Sequence, residues 1–210
     1  EADPSLVSSL VQGFTRDEHA TFVENGLRTM GLTSNLGRLI VLCGHGGNSD
    51  NNPYFAALHC GACGGRSGDP NSRAFAAMGN HPEVRQILSG RGIQIPEDTW
   101  FLGAKHDTNT DRVDFYDVED IPETHLEDLK TLRRDLERAG AAQAQNRCRG
   151  IPGAPGGMSP ERAYAHAEER SFDWANPRPE WGLSGNAGFI IGRRALTEGV
   201  DLEGRCFLNS

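Results

Sequence analysis

Positive charge is scarce in this chain: 21 Lys and Arg stand against 29 Asp and Glu, for a formal net charge of −8 and a pI near 5.4. The basic clusters amount to the pairs Arg133-Arg134 and Arg193-Arg194, which argues against nucleic acid as a main partner. Long apolar runs are missing too. The longest, Leu39 to Cys43 and Phe189 to Ile191, fall far short of the roughly 18–20 residues that cross a bilayer. The opening Glu1-Ala-Asp-Pro4 lacks the charged-then-apolar pattern of a secretory leader. Any membrane association is therefore expected to come through a partner. Cysteine is sparse and unpaired: five residues, unevenly spaced. That argues against a disulfide framework and for a reducing compartment, where thiolate or metal chemistry is the better expectation. Hydrophobic residues reach 37% and aromatics 7%, modest but enough for a core.

Glycine and proline are abundant, at 26 and 11, so loops and turns should occupy much of the chain. The 210 residues fit a single domain, 1–210, with a less regular helical and loop region near 119–170. Leu6, Leu10, Phe14, Phe22 and Leu27 recur at helical spacing over 4–30, with a break before a second helix near Arg16. Arg38 to Cys43 reads as a buried parallel strand, with Cys43 closing it as a small buried hydrophobe. A long loop follows over 46–70, then helices over Asn71–Met78 and Pro82–Leu88. Gly92–Pro96 reads as a short strand or extended link, Thr99–Ala104 as a second strand and Arg112–Val118 as a third. The clearest helix spans Glu123–Arg147, with an apolar stripe of Leu126, Leu129, Leu132, Leu136 and Ala139. After the breaker-rich 151–157, Ser159-Pro160 opens a helix to about Arg170, and Gly188–Gly192 is a last strand. Strands alternating with helices give an α/β fold with a mostly parallel sheet flanked by helices. No internal repeat is present.

The richest chemistry lies in Cys43-Gly-His45-Gly-Gly47 and His59-Cys60-Gly-Ala-Cys63. Ligands in open parallel sheets bind beyond the carboxyl ends of strands, and His45 is placed two residues past such an end. Glycines on both sides relieve crowding around it. Imidazole and thiol donors favour zinc over magnesium or calcium. Cys60 and Cys63 also read as a redox pair or half of a zinc knuckle, although the glycines that follow suit neither well. His106, Asp107 and Asp111 form a second polar cluster after a strand, fit for an acid, a relay or an oxygen ligand. Asx-turn hydrogen bonding is the plainer account. Arg178-Pro-Glu-Trp181 reads as a structural ion pair beside a buried Trp. Spacing alone supports a metalloprotein of the α/β class and no particular reaction.

Several uncommon strings occur together: Gly44-His45-Gly46, Asn51-Asn-Pro-Tyr54, Cys60-Gly-Ala-Cys-Gly-Gly65, Asn71-Ser-Arg73, Val84-Arg85, Ile95-Pro-Glu-Asp-Thr99, His106-Asp-Thr-Asn-Thr-Asp111, Arg178-Pro-Glu-Trp-Gly-Leu183 and Phe207-Leu-Asn-Ser210. In this order they resemble the DabA family over nearly the whole chain, least over about 119–160. The resemblance implies a β-carbonic-anhydrase-like fold and conversion of CO2 to bicarbonate. It also implies a membrane subunit of the DabB type as partner, and a peripheral place on the cytoplasmic face of the inner membrane. It implies zinc held by a Cys-x-Asp pair upstream, then by a histidine and a cysteine, positions that His45 and Cys60 occupy. Cys63 stands in the family's string but is not carried over as a ligand. No Cys-x-Asp-x-Arg string occurs in these residues. The expectation is therefore a C-terminal piece of an incomplete domain that alone binds zinc weakly and catalyses nothing measurable. The rivals are a thiol–disulfide oxidoreductase using Cys60 and Cys63, and a zinc-stapled docking module without catalysis.

Overall fold

The computed structural model describes residues 13–48, 65–151, 153–173, 188–202 and 206–209. Its first helix, α1 (Arg16–Thr29), opens on a capping box. The Glu18 amide donates to Thr15 Oγ1 at 3.3 Å, and the Thr15 amide donates to the Glu18 carboxylate at 2.7 Å. Two N–H groups that a first turn leaves without partners are thereby satisfied. The break expected before Arg16 is there; the turns expected over 4–12 lie outside the described residues.

Two more helices follow the first strand, β1 (Leu39–Gly46): α2 (Asp69–Asn80) and α3 (Pro82–Gly90). His81 separates them, and its ring nitrogen accepts the Glu83 amide at 3.3 Å while Pro82 supplies a first helical residue that needs no N–H partner. Next come β2 (Trp100–Asp107) and β3 (Val113–Phe115), then α4 (Leu126–Cys148) and α5 (Pro160–Phe172). Ser159 caps α5 by accepting the Arg162 amide, as its Ser-Pro start foretells. Last are β4 (Gly188–Ile191) and β5 (Cys206–Asn209), the latter without a counterpart in the sequence reading.

The fold is α/β with a small mixed sheet. β1 and β2 run parallel, Leu39 opposite Trp100 through Gly46 opposite Asp107. β3 returns antiparallel against the upper part of β2, because the 108–112 turn is too short for the crossover a parallel neighbour requires. Below β3, the Asn80 side chain completes the exposed edge of β2: its amide donates to the Phe101 carbonyl at 2.8 Å and accepts the Phe101 N–H at 2.9 Å. β4 and β5 pair parallel in a separate two-stranded sheet.

Alternation along the strands assigns each face a core. Ile40, Leu42 and Phe101 pack with Val23 and Leu27 of α1, Ala76 of α2 and Val84 and Leu88 of α3. Leu39, Val41, Trp100 and Leu102 face the other way, against Leu129 of α4 and Ile121 in the link before it. That period of two is what a strand imposes. The α4 stripe is thinner than expected. Leu129 is buried, Leu132 and Leu136 are half-buried, and Leu126 and Ala139 are exposed. The helix crosses the sheet for only part of its length, and its last turns bury Ala144 and Cys148 against Ala163 and Ala167 of α5 instead.

α2 is tied to the sheet by Ser72, whose Oγ lies 2.9 Å from the Ala104 carbonyl oxygen. Ser72→Ala leaves that buried carbonyl short of a partner. It should lower stability by about 1 kcal/mol, measured by chemical denaturation. No change would show that helix packing alone fixes α2.

Candidate functional site at the carboxyl edge of the sheet

β1 does not stop at Cys43. It continues through Gly44, His45 and Gly46, which lie opposite Lys105, His106 and Asp107. Glycine reads locally as a break, but here the two glycines are what keeps the strand going. A Cβ on Gly44 would sit 2.5 Å from both the carbonyl carbon and oxygen of Gly68, just before α2. The backbones therefore meet directly, and the Gly68 amide donates to the His45 carbonyl at 2.8 Å. His45 consequently lies inside the strand, one residue from its end, and is exposed.

Cys43 shares that face by the two-residue period, and it is exposed rather than buried. The expectation of a closing core hydrophobe fails because Leu129 of α4 covers the rows of Leu39 and Val41 and leaves the upper rows open. Crowding around its sulfur nonetheless pushes the Cys43 thiol up, against the effect of a hydrogen bond with the His106 backbone. A raised thiol is poorly suited to act as a nucleophile at neutral pH.

The turn after β2 grips the exit of β1. The Thr108 amide and hydroxyl reach the Gly46 carbonyl at 2.9 and 3.0 Å, and the Asn109 side-chain amide donates to the Asn48 carbonyl at 2.6 Å. Asp107 is buried, and its Oδ1 accepts the Asn109 amide at 2.9 Å and the Asn48 amide at 3.3 Å. This is the Asx-turn arrangement expected of it, and it makes Asp107 a structural acceptor.

Asp111 has a different part. Its backbone sits at φ 62°, in the left-handed region that costs a non-glycine residue energy. There its Oδ1 lies 3.1 Å from His106 Nε2, and its Oδ2 lies 2.8 Å from an Arg147 amino group. Oδ2 has no aligned hydrogen bond, so the Arg147 contact is one of charge. Arg147, on the last turn of α4, is 2% exposed and donates to the carbonyls of Thr108 and Asn109 at 3.0 and 3.1 Å. Sequence reading did not single out Arg147. An arginine on a polar helix gives no local sign that its head will be buried.

His45 and His106, the register partners of β1 and β2, are therefore brought together at one edge. Cys60, Cys63 and the Arg178–Trp181 segment lie outside the described residues. Among the described residues no three His, Cys, Asp or Glu are gathered so as to hold a metal ion. His45 itself fits a zinc donor: an exposed imidazole at a strand's carboxyl end on a glycine-lined backbone. None of the described helices is long and apolar enough to cross a membrane.

The family model described as "Probable inorganic carbon transporter subunit DabA" matches residues 1–210, and the chain belongs to that family. Relatives carrying the same description include one from Nitrobacter winogradskyi, 46% identical over 94% of this chain and 19% of its own length. One from Bradyrhizobium sp. is 46% identical over 98% of this chain and 24% of its own length. One from Salinibacter ruber is 44% identical over 100% of this chain and 26% of its own length. The chain thus spans about a fifth to a quarter of the length of these curated relatives. No solved structure matches the chain.

Proposed function

We propose that this chain is the part of a DabA subunit that supplies His45 and Cys60 to a zinc centre at which CO2 becomes bicarbonate. Further ligands would come from outside these residues, and a membrane subunit would be the partner. The chain would sit peripherally on the cytoplasmic face of the inner membrane. The observation that carries the reading is the exposure of His45 at the carboxyl edge of a parallel strand pair, in a chain whose family is named for inorganic carbon transport. Bound there, zinc supplies a Lewis acid that makes water nucleophilic near neutral pH. The residues of this chain contribute placement. The Gly44–Gly68 contact sets the height of His45, the 107–109 turn holds the strand's exit, and the open face admits a small substrate.

In the full-length protein produced with its membrane partner, His45→Ala should remove most of the bound zinc and abolish bicarbonate accumulation by cells. Zinc content and accumulation both unchanged would sink the reading. Zinc lost with accumulation intact would instead favour a docking module stapled by metal.

A further inference from the structure

We infer that His106 is a second ligand-facing residue of this edge, held by Asp111 and Arg147 as a hydrogen-bond acceptor for the O–H of bicarbonate. The inorganic-carbon identity of the ligand rests on the proposed function; the acceptor rests on geometry.

The tautomer follows from the partner. An ion-paired carboxylate accepts hydrogen bonds and does not donate them, so the His106 nitrogen 3.1 Å from Asp111 Oδ1 is the one that carries hydrogen. That nitrogen is Nε2. In the neutral ring Nδ1 is then left with its lone pair, an acceptor with no hydrogen-bond partner among the described residues. The ring is partly exposed, 39% of the side chain. His106 and His45 are register partners on adjacent parallel strands, so their side chains leave the same face with their Cα atoms about 5 Å apart.

Asp111 and Arg147 act through His106 as positioning residues. Holding Asp111 at positive φ is costly, and the cost is maintained by burying an arginine against it. The same cluster keeps Asn109 Oδ1 and Arg147 Nε buried without partners among the described residues. Stability alone would not favour two unmet polar atoms and a left-handed aspartate in one turn. What the arrangement does achieve is a held ring whose tautomer is set by Asp111.

Bicarbonate and nitrate test this directly, since both are planar monoanions with three oxygens and only bicarbonate carries an O–H donor. The full-length protein, purified with its membrane partner, is titrated with sodium bicarbonate and with sodium nitrate. His106→Leu keeps a side chain of similar bulk and removes both ring nitrogens, the Nδ1 acceptor with them. It should raise the bicarbonate Kd about tenfold and leave the nitrate Kd unchanged. His106→Asn restores an acceptor at the Nδ1 position while giving up Asp111, and should recover part of the preference. Both Kd values unchanged in His106→Leu, or both raised equally, would overturn the inference. The two readings fail separately. Zinc content after His45→Ala decides the metal centre, whereas the bicarbonate-to-nitrate ratio decides His106.

Discussion

Arg147→Met is expected to destabilise the chain by about 3–5 kcal/mol, the usual cost of stripping one partner from a buried ion pair. Arg147 is 2% exposed, and the side chain of the Asp111 it neutralises is 9% exposed. Without the guanidinium, a carboxylate stays in a site that cannot hydrate it, and the carbonyls of Thr108 and Asn109 lose their donors. Adding Asp111→Asn should regain part of the loss. It removes the uncompensated charge, and asparagine tolerates the left-handed backbone at this position better than most residues. Chemical denaturation of the single and double variants measures both. A single-variant loss below about 1 kcal/mol would mean that water reaches the pair after all.

Gly44→Val should cost about 3 kcal/mol, the upper end of overpacking. The added Cβ would fall 2.5 Å from Gly68 backbone atoms and 2.9 Å from the Asp69 amide nitrogen, none of which can rotate away. Strand and helix start must separate, and the Gly68–His45 hydrogen bond at 2.8 Å goes with them. Gly37→Val is the control, because its nearest neighbour is a carbonyl oxygen at 3.8 Å; it should stay within about 0.5 kcal/mol of the parent. Equal losses in the two variants would show that the measured cost comes from placing a β-branched residue at either position rather than from this contact.

Local signals wrote much of this fold plainly. Thr15 with Glu18, Ser159 with Pro160 and His81 with Pro82 each announce a helix start through chemistry complete within a few residues. Leu39–Cys43 and Thr99–Ala104 announce strands by β-branched and apolar content. The misreadings share a cause: the partner is far away in sequence. Gly44 and Gly46 look like a strand's end until Gly68 and Thr108 come against them. Leu126 looks like core until α4 proves to cross only part of the sheet, leaving it 48% exposed. Cys43 looks buried for the same reason. The site was half legible. His45 and the His106–Asp111 cluster stand out by residue type, but Arg147 becomes part of them only when the end of α4 meets the turn after β2. Cys60, the other expected donor, lies outside the described residues.

The glycines of β1 also act as a ratchet on alignment. Sliding a strand by one residue exchanges its two faces, so a single insertion between Arg38 and Cys43 would turn His45 toward α2 and Gly44 toward the open side. Space permits only one of these settings: the position now held by Gly44 has backbone 2.5 Å from any side chain placed there. After such an insertion Cys43 would fall there, and after a deletion His45 would; neither side chain can enter it. Length changes in this strand are therefore expected to be rejected outright rather than absorbed as a weakened site, and variation in length should be confined to the segments on either side.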